Sequence, residues 1–220
     1  MRILVLSDFH GRKEAFLEAA DKAKRLGAEI IVICGDITHF APAEQAQALL
    51  SPFTELNLPI LYVPGNCDLP SLLETKIEGT HNLHGSCVRI DNLVFIGVGG
   101  SPSSPLNTPL EFPDHELSAI LQNGLAKCSS HEGLILVSHT PPFKTRVDLA
   151  FNGEHIGSES IKCFIEEKKP LAVFCGHVHE ARGIDNLGDT VILNPGPARH
   201  GYYALAEITN EVEIKLESSK

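Results

Sequence analysis

Five segments of the sequence place metal-binding types of side chain directly after a short apolar run. Carboxylate, amide and imidazole groups bind divalent cations such as Mn, Fe, Zn, Co and Ni, and no thiolate ligand is predicted. In α/β proteins, sites assemble at the carboxyl ends of core strands, so the five groups are expected to converge on one edge. The segments are Ser7-Asp8-Phe9-His10, Gly35-Asp36, Gly65-Asn66-Cys67-Asp68, Ser138-His139 and Gly176-His177-Val178-His179.

The spacing within two of these segments supports a shared centre. Asp8 with His10, and His177 with His179, are separated by two positions, which turns both side chains to one side of an extended backbone. Each element alone is weak evidence. A lone Asp-x-His or His-x-His is more often a surface or core pair than a metal site, and Gly-Asp is a common turn. Five such groups in one short chain carry the argument.

The elements that must position these residues alternate along the chain. Short apolar runs predict core strands with both faces covered. Periodic segments between them predict helices, with Asp114 and Ser158 as N-caps and Gly27 as a C-terminal stop. The fold class is therefore α/β with an antiparallel tail, the last two strands being separated by a turn at Asn210. The predicted strands are 3–6, 30–34, 60–63, 94–98, 134–137, 171–175, 190–193, 203–208 and 212–216, and the helices are 13–26, 42–50, 114–126 and 158–168.

The composition fits one domain over residues 1–220. The chain has 220 residues, of which 43% are hydrophobic, enough for a sizeable core. A net charge of -10 and a pI near 5.5 repel extended polyanions, so nucleic acid larger than nucleotides is not expected as a partner. A small phosphorylated substrate is easier to accommodate.

No segment of the sequence predicts a membrane span or a cleaved leader. No apolar run reaches the roughly 18 to 20 residues that cross a bilayer, and the first run, at residues 3–6, leads directly into Asp8 and His10. A cytoplasmic protein is expected. The six cysteines are scattered without a CxxC pair, which favours free thiols in a reducing compartment. They are Cys34, Cys67, Cys87, Cys128, Cys163 and Cys175.

The ordered set of motifs resembles the calcineurin-like metallophosphoesterases over roughly residues 1–201. Within that family, the Gly-Asn-Cys-Asp segment at Asn66 is most similar to small prokaryotic phosphodiesterase-like members. The resemblance implies a four-layer α/β/β/α sandwich of two mixed sheets flanked by helices, with the metal site at the carboxyl ends of the strands. It also implies a phosphoesterase that hydrolyses phosphodiester, or phosphomonoester, bonds of a small substrate.

The same resemblance implies two divalent metal ions, with Mn first and Fe, Zn, Ni or Co as alternatives. Two ions about 3.5 to 4 Å apart clamp a phosphoryl group, and a bridging hydroxide attacks in line. Asp36 is expected to bridge the two ions. One ion would take Asp8, His10, Asp36 and His179, and the other would take Asp36, Asn66, His139 and His177.

The sequence departs from the family pattern at Cys67, where most members have a histidine that pairs with the following acid and protonates the leaving group. General-acid help is worth about 10² to 10⁴ in rate, so its loss affects poor leaving groups most. A small packed residue is a simpler interpretation of Cys67 than thiol catalysis. Asn66, Cys67 and Asp68 are the catalytic candidates.

Four basic residues are candidates for binding a substrate phosphate, although each is as readily a solvated or structural group. Lys144, Arg146 and His155 lie in a long loop after His139, and Arg199 follows a proline-rich turn. Long loops at residues 101–113 and 140–157 are either lids or plain surface connections. No role is assigned to His39, His81, His84, His115 or His131.

Three alternative functions follow from the same resemblance. A protein Ser/Thr phosphatase is disfavoured because no arginine follows Gly35-Asp36 closely. A nuclease stays open for short substrates, although no basic tract with aromatic residues is evident. A non-enzymatic metal-binding scaffold is the competing class, because one relative serves in membrane-traffic complexes with a degraded site. A homo-oligomer is left open, and the natural substrate is not specified by the sequence.

Overall fold

Strands and helices alternate along the chain in the computed structural model, which describes residues 1–209 and 211–219. Two 3-10 turns, His179–Ala181 and Ala198–His200, lie in the carboxyl-terminal part of the chain, each after a strand. The helices are α1 (Lys13–Leu26), α2 (Ala43–Thr54), α3 (Ser71–Glu74), α4 (Asp114–Ala126) and α5 (Glu159–Lys168). The strands are β1 (Arg2–Leu6), β2 (Ile30–Cys34), β3 (Ile60–Val63), β4 (His81–Asn82), β5 (Cys87–Ile90), β6 (Leu93–Val98), β7 (Ser101–Pro102), β8 (Glu111–Phe112), β9 (Leu134–Ser138), β10 (Ala172–Phe174), β11 (Gly183–Leu187), β12 (Thr190–Asn194), β13 (Tyr202–Ile208) and β14 (Val212–Ser218).

Two six-stranded mixed sheets form the centre of the molecule. The first sheet has the order β14-β13-β1-β2-β3-β4, and the second has the order β11-β12-β10-β9-β6-β5. In the first sheet, β1 to β4 are parallel and the β13–β14 hairpin is antiparallel. In the second, β12, β10, β9 and β6 are parallel, with antiparallel strands at both edges. A two-stranded sheet of β7 and β8 stands apart.

The apolar core has three parts that follow from strand periodicity. Alternate residues of β1 point to opposite faces, so Leu4 packs towards α1 and α2 while Val5 packs towards the second sheet. On β6, Phe95 faces the first sheet and Ile96 faces α4 and α5. Since both faces of each sheet are covered, the central strands are continuously apolar. The predicted α/β/β/α sandwich is confirmed.

All nine predicted strands are present, with ends that differ by at most two residues. Strands β4, β5, β7, β8 and β11 were not predicted, because none of them has a continuous apolar run and most of their residues are half-buried or exposed. The turn predicted at Asn210 lies outside the described residues. None of the described helices combines the length and the hydropathy of a membrane span.

Of the two predicted helix N-caps, one is confirmed and the other is wrong. The Ser158 side chain accepts a hydrogen bond from the Ile161 amide, as an N-cap does. Asp114, predicted to cap α4, lies inside the first turn of that helix, and Pro113 is its N-cap. The Asp114 carboxylate instead accepts hydrogen bonds from the Ser158 hydroxyl and the Ser160 amide. It therefore supports the start of α5.

Helix α2 continues four residues beyond its predicted end at residue 50, through Pro52. Proline leaves the carbonyl four residues earlier without its usual partner. Here the Ser51 hydroxyl donates to that carbonyl, on Ala48. The extension also buries Phe53 against Phe9 and Phe16, which favours keeping the last turn helical.

The prediction of six free thiols is wrong for one pair of cysteines. Cys87 on β5 and Cys128 after α4 form a disulfide, with Cα atoms 5.7 Å apart. They are 41 residues apart in sequence, and the packing of α4 against β6, the strand that pairs with β5, brings them together. Cys34, Cys67 and Cys175 are free and buried, and Cys163 is free and exposed.

Candidate metal centre

The seven predicted metal ligands lie at the carboxyl ends of five neighbouring strands. Asp8 and His10 follow β1, Asp36 follows β2 and Asn66 follows β3, all in the first sheet. His139 follows β9 in the second sheet, and the remaining two ligands follow β10. The two sheets therefore contribute facing halves of one site.

Four of these seven residues have a left-handed backbone, which residues other than glycine seldom adopt. The φ angles are +56° at Asp8, +47° at His10, +50° at Asp36 and +69° at His177. Such conformations cost free energy and concentrate at functional sites, where the surrounding structure enforces them. Backbone hydrogen bonds enforce them here, including those from the Asp8 amide to Gly35 and from the His10 amide to Asp36.

The first group of close side chains contains Asp8, His10 and His179. His179 Nε2 lies 3.2 Å from Asp8 Oδ1 and 3.2 Å from His10 Nε2. His10 Nε2 also lies 3.4 Å from Asp36 Oδ2. One ligand atom from each residue of this trio fits within the dimensions of a metal site.

The second group gathers around Asn66. Its Oδ1 lies 2.8 Å from His139 Nε2 and 2.9 Å from His177 Nδ1. Asp36 Oδ1 lies 3.6 Å from His139 Nε2. Asp36 thus directs one carboxylate oxygen to each group, which is the arrangement that a bridging ligand requires.

The donor chemistry of the second group fits a bound cation. The backbone carbonyl of Cys34 can only accept, so His139 Nδ1, 2.7 Å away, carries a proton. The contact of His139 Nε2 with the amide oxygen of Asn66 at 2.8 Å is attractive only with a proton or a cation between the two atoms, since their lone pairs otherwise repel. The nitrogen and oxygen donors present suit a borderline divalent metal.

Burial shifts the ionisation of three ligands towards their neutral forms. It raises the pKa of Asp36 to about 7, an effect that the charge of Asp8 reinforces. Burial also lowers the pKa of His10 to about 4 and, together with the charge of His139, that of His177 to about 3. Neutral imidazoles keep the lone pair that a metal needs, so the packing prepares these rings as ligands.

Asp8 and His179 form a hydrogen-bonded pair inside the same cluster, with His179 Nε2 3.2 Å from Asp8 Oδ1. Burial opposes ionisation of Asp8, but a hydrogen bond from His179 and the nearby charge of His139 hold its pKa well below the usual range. Burial likewise opposes protonation of His179, yet the hydrogen bond and charge of Asp8 raise its pKa. Asp8 is therefore available as an anionic ligand.

The three catalytic candidates occupy different positions. Asn66 lies in the second group, whereas Cys67 is buried beside it and donates its backbone N–H to Asp36 Oδ1 at 2.8 Å. Burial and the adjacent Asp36 raise the pKa of the Cys67 thiol, which keeps it neutral. Asp68 is fully buried and accepts four hydrogen bonds, from Gly65, Ile37 and twice from Thr38. These bonds give Asp68 a role in positioning the two loops.

Of the four basic candidates, Arg199 is the one brought to the cluster, with Nη2 3.3 Å from His179 Nδ1. Lys144 Nζ lies 5.1 Å above the Phe143 ring, and His155 Nδ1 pairs with Asp148 at 2.7 Å. Arg146 is held through its backbone amide, which donates to Asp185. Within the described residues, the hydrogen bonds and ion pairs of Lys144, Arg146 and His155 do not reach the seven ligands.

The structure also brings in residues that the sequence did not single out. His39 Nδ1 lies 3.3 Å from His10 Nδ1, and His39 forms a further possible ligand group with His10 and Cys67. Its position three residues after Asp36 was the available signal. Thr108 Oγ1 accepts a hydrogen bond from Asn66 Nδ2 at 3.0 Å, fixing the amide orientation. Nothing in the sequence of its proline-rich loop marks that contact.

The likeness to solved structures covers the whole chain. The protein TT1561 of Thermus thermophilus superposes with a TM-score of 0.80 at 21% identity, covering 100% of this chain and 99% of the other. A dimetal phosphatase from Danio rerio gives 0.69 at 13% identity, with 99% and 96% coverage. An archaeal phosphodiesterase gives 0.58 at 17% identity, with 99% and 100% coverage. At these identities the likeness shows a shared fold.

Sequence comparison identifies the family. The uncharacterized protein MJ1162 of Methanocaldococcus jannaschii is 34% identical over 207 residues, covering 92% of this chain and 91% of the relative. The family description "Calcineurin-like phosphoesterase" matches residues 1–181. Together with the Asp and His groups that could hold a metal, this match supports a metal-dependent phosphoric ester hydrolase. The chain belongs to the calcineurin-like phosphoesterase family.

Proposed function

We propose that this protein is a dinuclear-metal phosphodiesterase that acts on a small phosphorylated substrate. The observation that carries the proposal is the position of Asp36, whose two oxygens face His10 at 3.4 Å and His139 at 3.6 Å. Each histidine belongs to a separate group of nitrogen and oxygen donors. Two groups joined by one carboxylate are the arrangement expected of a bridged pair of ions.

The chain's own residues prepare the site for that chemistry. When bound, two divalent ions supply a water of lowered pKa and positive charge that stabilises the phosphoryl oxygens. His139 is oriented by the Cys34 carbonyl, and Asn66 is oriented by Thr108, so their donor atoms are fixed in advance. Manganese is the proposed ion, with Fe, Zn, Ni or Co as alternatives for the same donors.

The preference for diesters rests on Cys67. The thiol is buried and its pKa is raised, so it neither attacks nor donates a proton readily at neutral pH. A site without a strong general acid favours leaving groups that depart without a proton, such as aryl oxides. The archaeal phosphodiesterase and the dimetal phosphatase among the structural neighbours are consistent with either ester class.

Arg199 is the proposed contact between the protein and a phosphate of the substrate that lies beside the metal centre. It approaches His179 within 3.3 Å, whereas the other basic candidates have their contacts elsewhere among the described residues. A guanidinium binds phosphate through paired, charge-assisted hydrogen bonds. Because Arg199 contacts His179, a phosphate bound by Arg199 would lie beside the first ligand group.

The test is metal removal and replacement with two independent readouts. Chelator-treated protein is expected to lose hydrolysis of an aryl phosphodiester and to regain it with Mn, while elemental analysis shows two ions per chain. A single ion per chain at full activity would refute the dinuclear proposal. A loaded protein that hydrolyses no phosphodiester or phosphomonoester would refute the enzymatic proposal and favour the scaffold.

A further inference from the structure

A cavity of about 410 Å³ adjoins the metal centre, between the start of α1 and the 3-10 turn Ala198–His200. Its volume falls within the range of small-molecule pockets, about 300 to 1,000 Å³. Arg12 lines it from the helix side and Arg199 from the turn, with Glu18 and Ser219 among the other lining residues. Because Arg199 also contacts His179, the cavity lies next to the first ligand group.

The side chain of Arg199 has a hydrogen-bonding group that the described residues leave unsatisfied. Its Nε is buried, and no hydrogen-bond partner lies within reach of it in the described part of the chain. Buried donors are nearly always paired in folded proteins, so an exception calls for an explanation. An acceptor supplied by a ligand in the cavity would satisfy this donor.

Arg12 presents a second guanidinium at the same place. Its Nη1 donates to the backbone carbonyl of Arg199 at 2.7 Å, which ties the helix start to the turn. A guanidinium has five N–H donors, so Arg12 retains others for a ligand. Although the chain carries 28 acidic and 18 basic residues, neither arginine forms a salt bridge with a carboxylate of residues 1–209 or 211–219.

We propose that this cavity binds a second anionic group of the substrate, a phosphate or a carboxylate held by Arg12 and Arg199. The inference rests on the proposed phosphodiesterase function and narrows its substrate class to esters that carry a further anion beyond the scissile phosphate. Two guanidinium groups match the oxygens of either anion. Glu18, which also lines the cavity, disfavours a large anionic ligand that would fill the whole cavity.

The kinetic test uses para-nitrophenyl alkyl phosphodiesters that share one leaving group and differ at the end of a three-carbon chain. The chain ends in a methyl, a carboxylate, a phosphate or an ammonium group. We expect kcat/KM for the better of the two anionic esters to exceed that for the methyl ester by at least about 10-fold. The ammonium ester should be the poorest. Equal values for all four esters would overturn the subsite.

Variants assign the selectivity to the two arginines. The selectivity ratio is kcat/KM for the anionic ester divided by kcat/KM for the methyl ester. Arg12→Ala and Arg199→Ala should each lower this ratio by about 10-fold, and the ratio for Arg12→Lys should lie between those of the alanine variants and that of wild type. Arg25→Ala, in the last turn of the same helix about 20 Å away, is the matched charge control and should keep the ratio. An unchanged ratio in both cavity variants would also overturn the inference.

A binding measurement separates failure of the subsite from failure of the proposed function. Calorimetric titration of metal-free protein with inorganic phosphate should show binding that the Arg12→Ala/Arg199→Ala double variant weakens about 10-fold or more. If metal-loaded wild type hydrolyses none of the esters, the proposed function is refuted and this titration alone decides the subsite. Equal phosphate affinity in wild type and double variant would refute the subsite.

Discussion

Replacing the buried Asp68 with asparagine tests whether this carboxylate positions the metal-binding loops. Its Oδ2 accepts from the Gly65 amide at 2.8 Å and the Ile37 amide at 3.1 Å, and its Oδ1 accepts from the Thr38 amide and hydroxyl, each at 2.7 Å. Asparagine retains one accepting oxygen. Its NH2 group would best face Thr38, whose hydroxyl can reverse and accept, which leaves the Thr38 amide unpaired.

The expected loss of stability follows from these contacts. One buried N–H left unpaired costs about 1 to 3 kcal/mol, and each of the other bonds weakens by roughly 1 kcal/mol when its acceptor loses charge. Burial raises the pKa of Asp68, so the ionised carboxylate carries a desolvation penalty that the amide avoids. We therefore expect a net loss of about 2 to 4 kcal/mol in the free energy of unfolding. For a chain of this length, that lowers Tm by roughly 4 to 16 °C.

Denaturant unfolding measures this loss, and metal affinity gives a second readout. Because the Asp68 bonds lie between the segments carrying Asp36 and Asn66, metal affinity should fall about 10- to 100-fold. Asp185→Asn is the control, since that carboxylate accepts hydrogen bonds from the Arg146 and Asn186 amides at an exposed site. A variant within about 1 kcal/mol of wild type would refute the positioning role. Intact metal affinity with selective loss of poor leaving groups would instead support catalysis by Asp68.

Three further perturbations address the centre and its loops. Asp36→Asn should abolish tight binding of both ions in elemental analysis, whereas Glu44→Gln, at an exposed position of α2, should retain two. Cys67→His should raise kcat/KM for an alkyl monoester relative to an aryl diester, and an unchanged ratio with intact metal content would show that Cys67 does not limit the reaction. Burial opposes ionisation of Glu111, but hydrogen bonds lower its pKa from 4.5 to about 2. Hydrogen-exchange protection of residues 101–113 should therefore fall as the pH drops through that interval. Constant protection down to about pH 2 would contradict this.

The elements predicted from the sequence are those whose characteristic residue pattern lies entirely within one short segment. Central strands such as β2 and β9 are continuously apolar because both faces are buried, and this pattern is visible without a partner strand. The convergence of the ligands within each sheet was also predictable, since parallel strands end at the same edge of a sheet, whereas the facing of the two sheets was not. Helix α1 was predicted with its observed bounds because its apolar face and Gly27 lie within the segment.

What the sequence did not reveal depends on contacts between distant segments. The Cys87–Cys128 disulfide and the bond between Thr108 and Asn66 each join residues about 40 positions apart. Arg12 was absent from the candidate list because its neighbour Arg199 is 187 positions away. Such pairs follow from the order of strands in each sheet, which a single sequence does not specify locally.

The loops at the centre approach each other so closely that two of their glycines have no room for a side chain. A Cβ added to Gly35 would lie 2.3 Å from His139 Nδ1, and one added to Gly65 would lie 2.1 Å from Asp36 Oδ1. The first of these contacts joins the two sheets, and the same packing brings His139 Nε2 within 2.8 Å of the Asn66 amide oxygen. Without a proton or a cation between them, the lone pairs on His139 Nε2 and on the Asn66 amide oxygen repel. Asp8, His10, Asp36 and His177 also have left-handed backbones that cost free energy. The fold therefore holds these donor atoms together at a cost that a bound cation would offset.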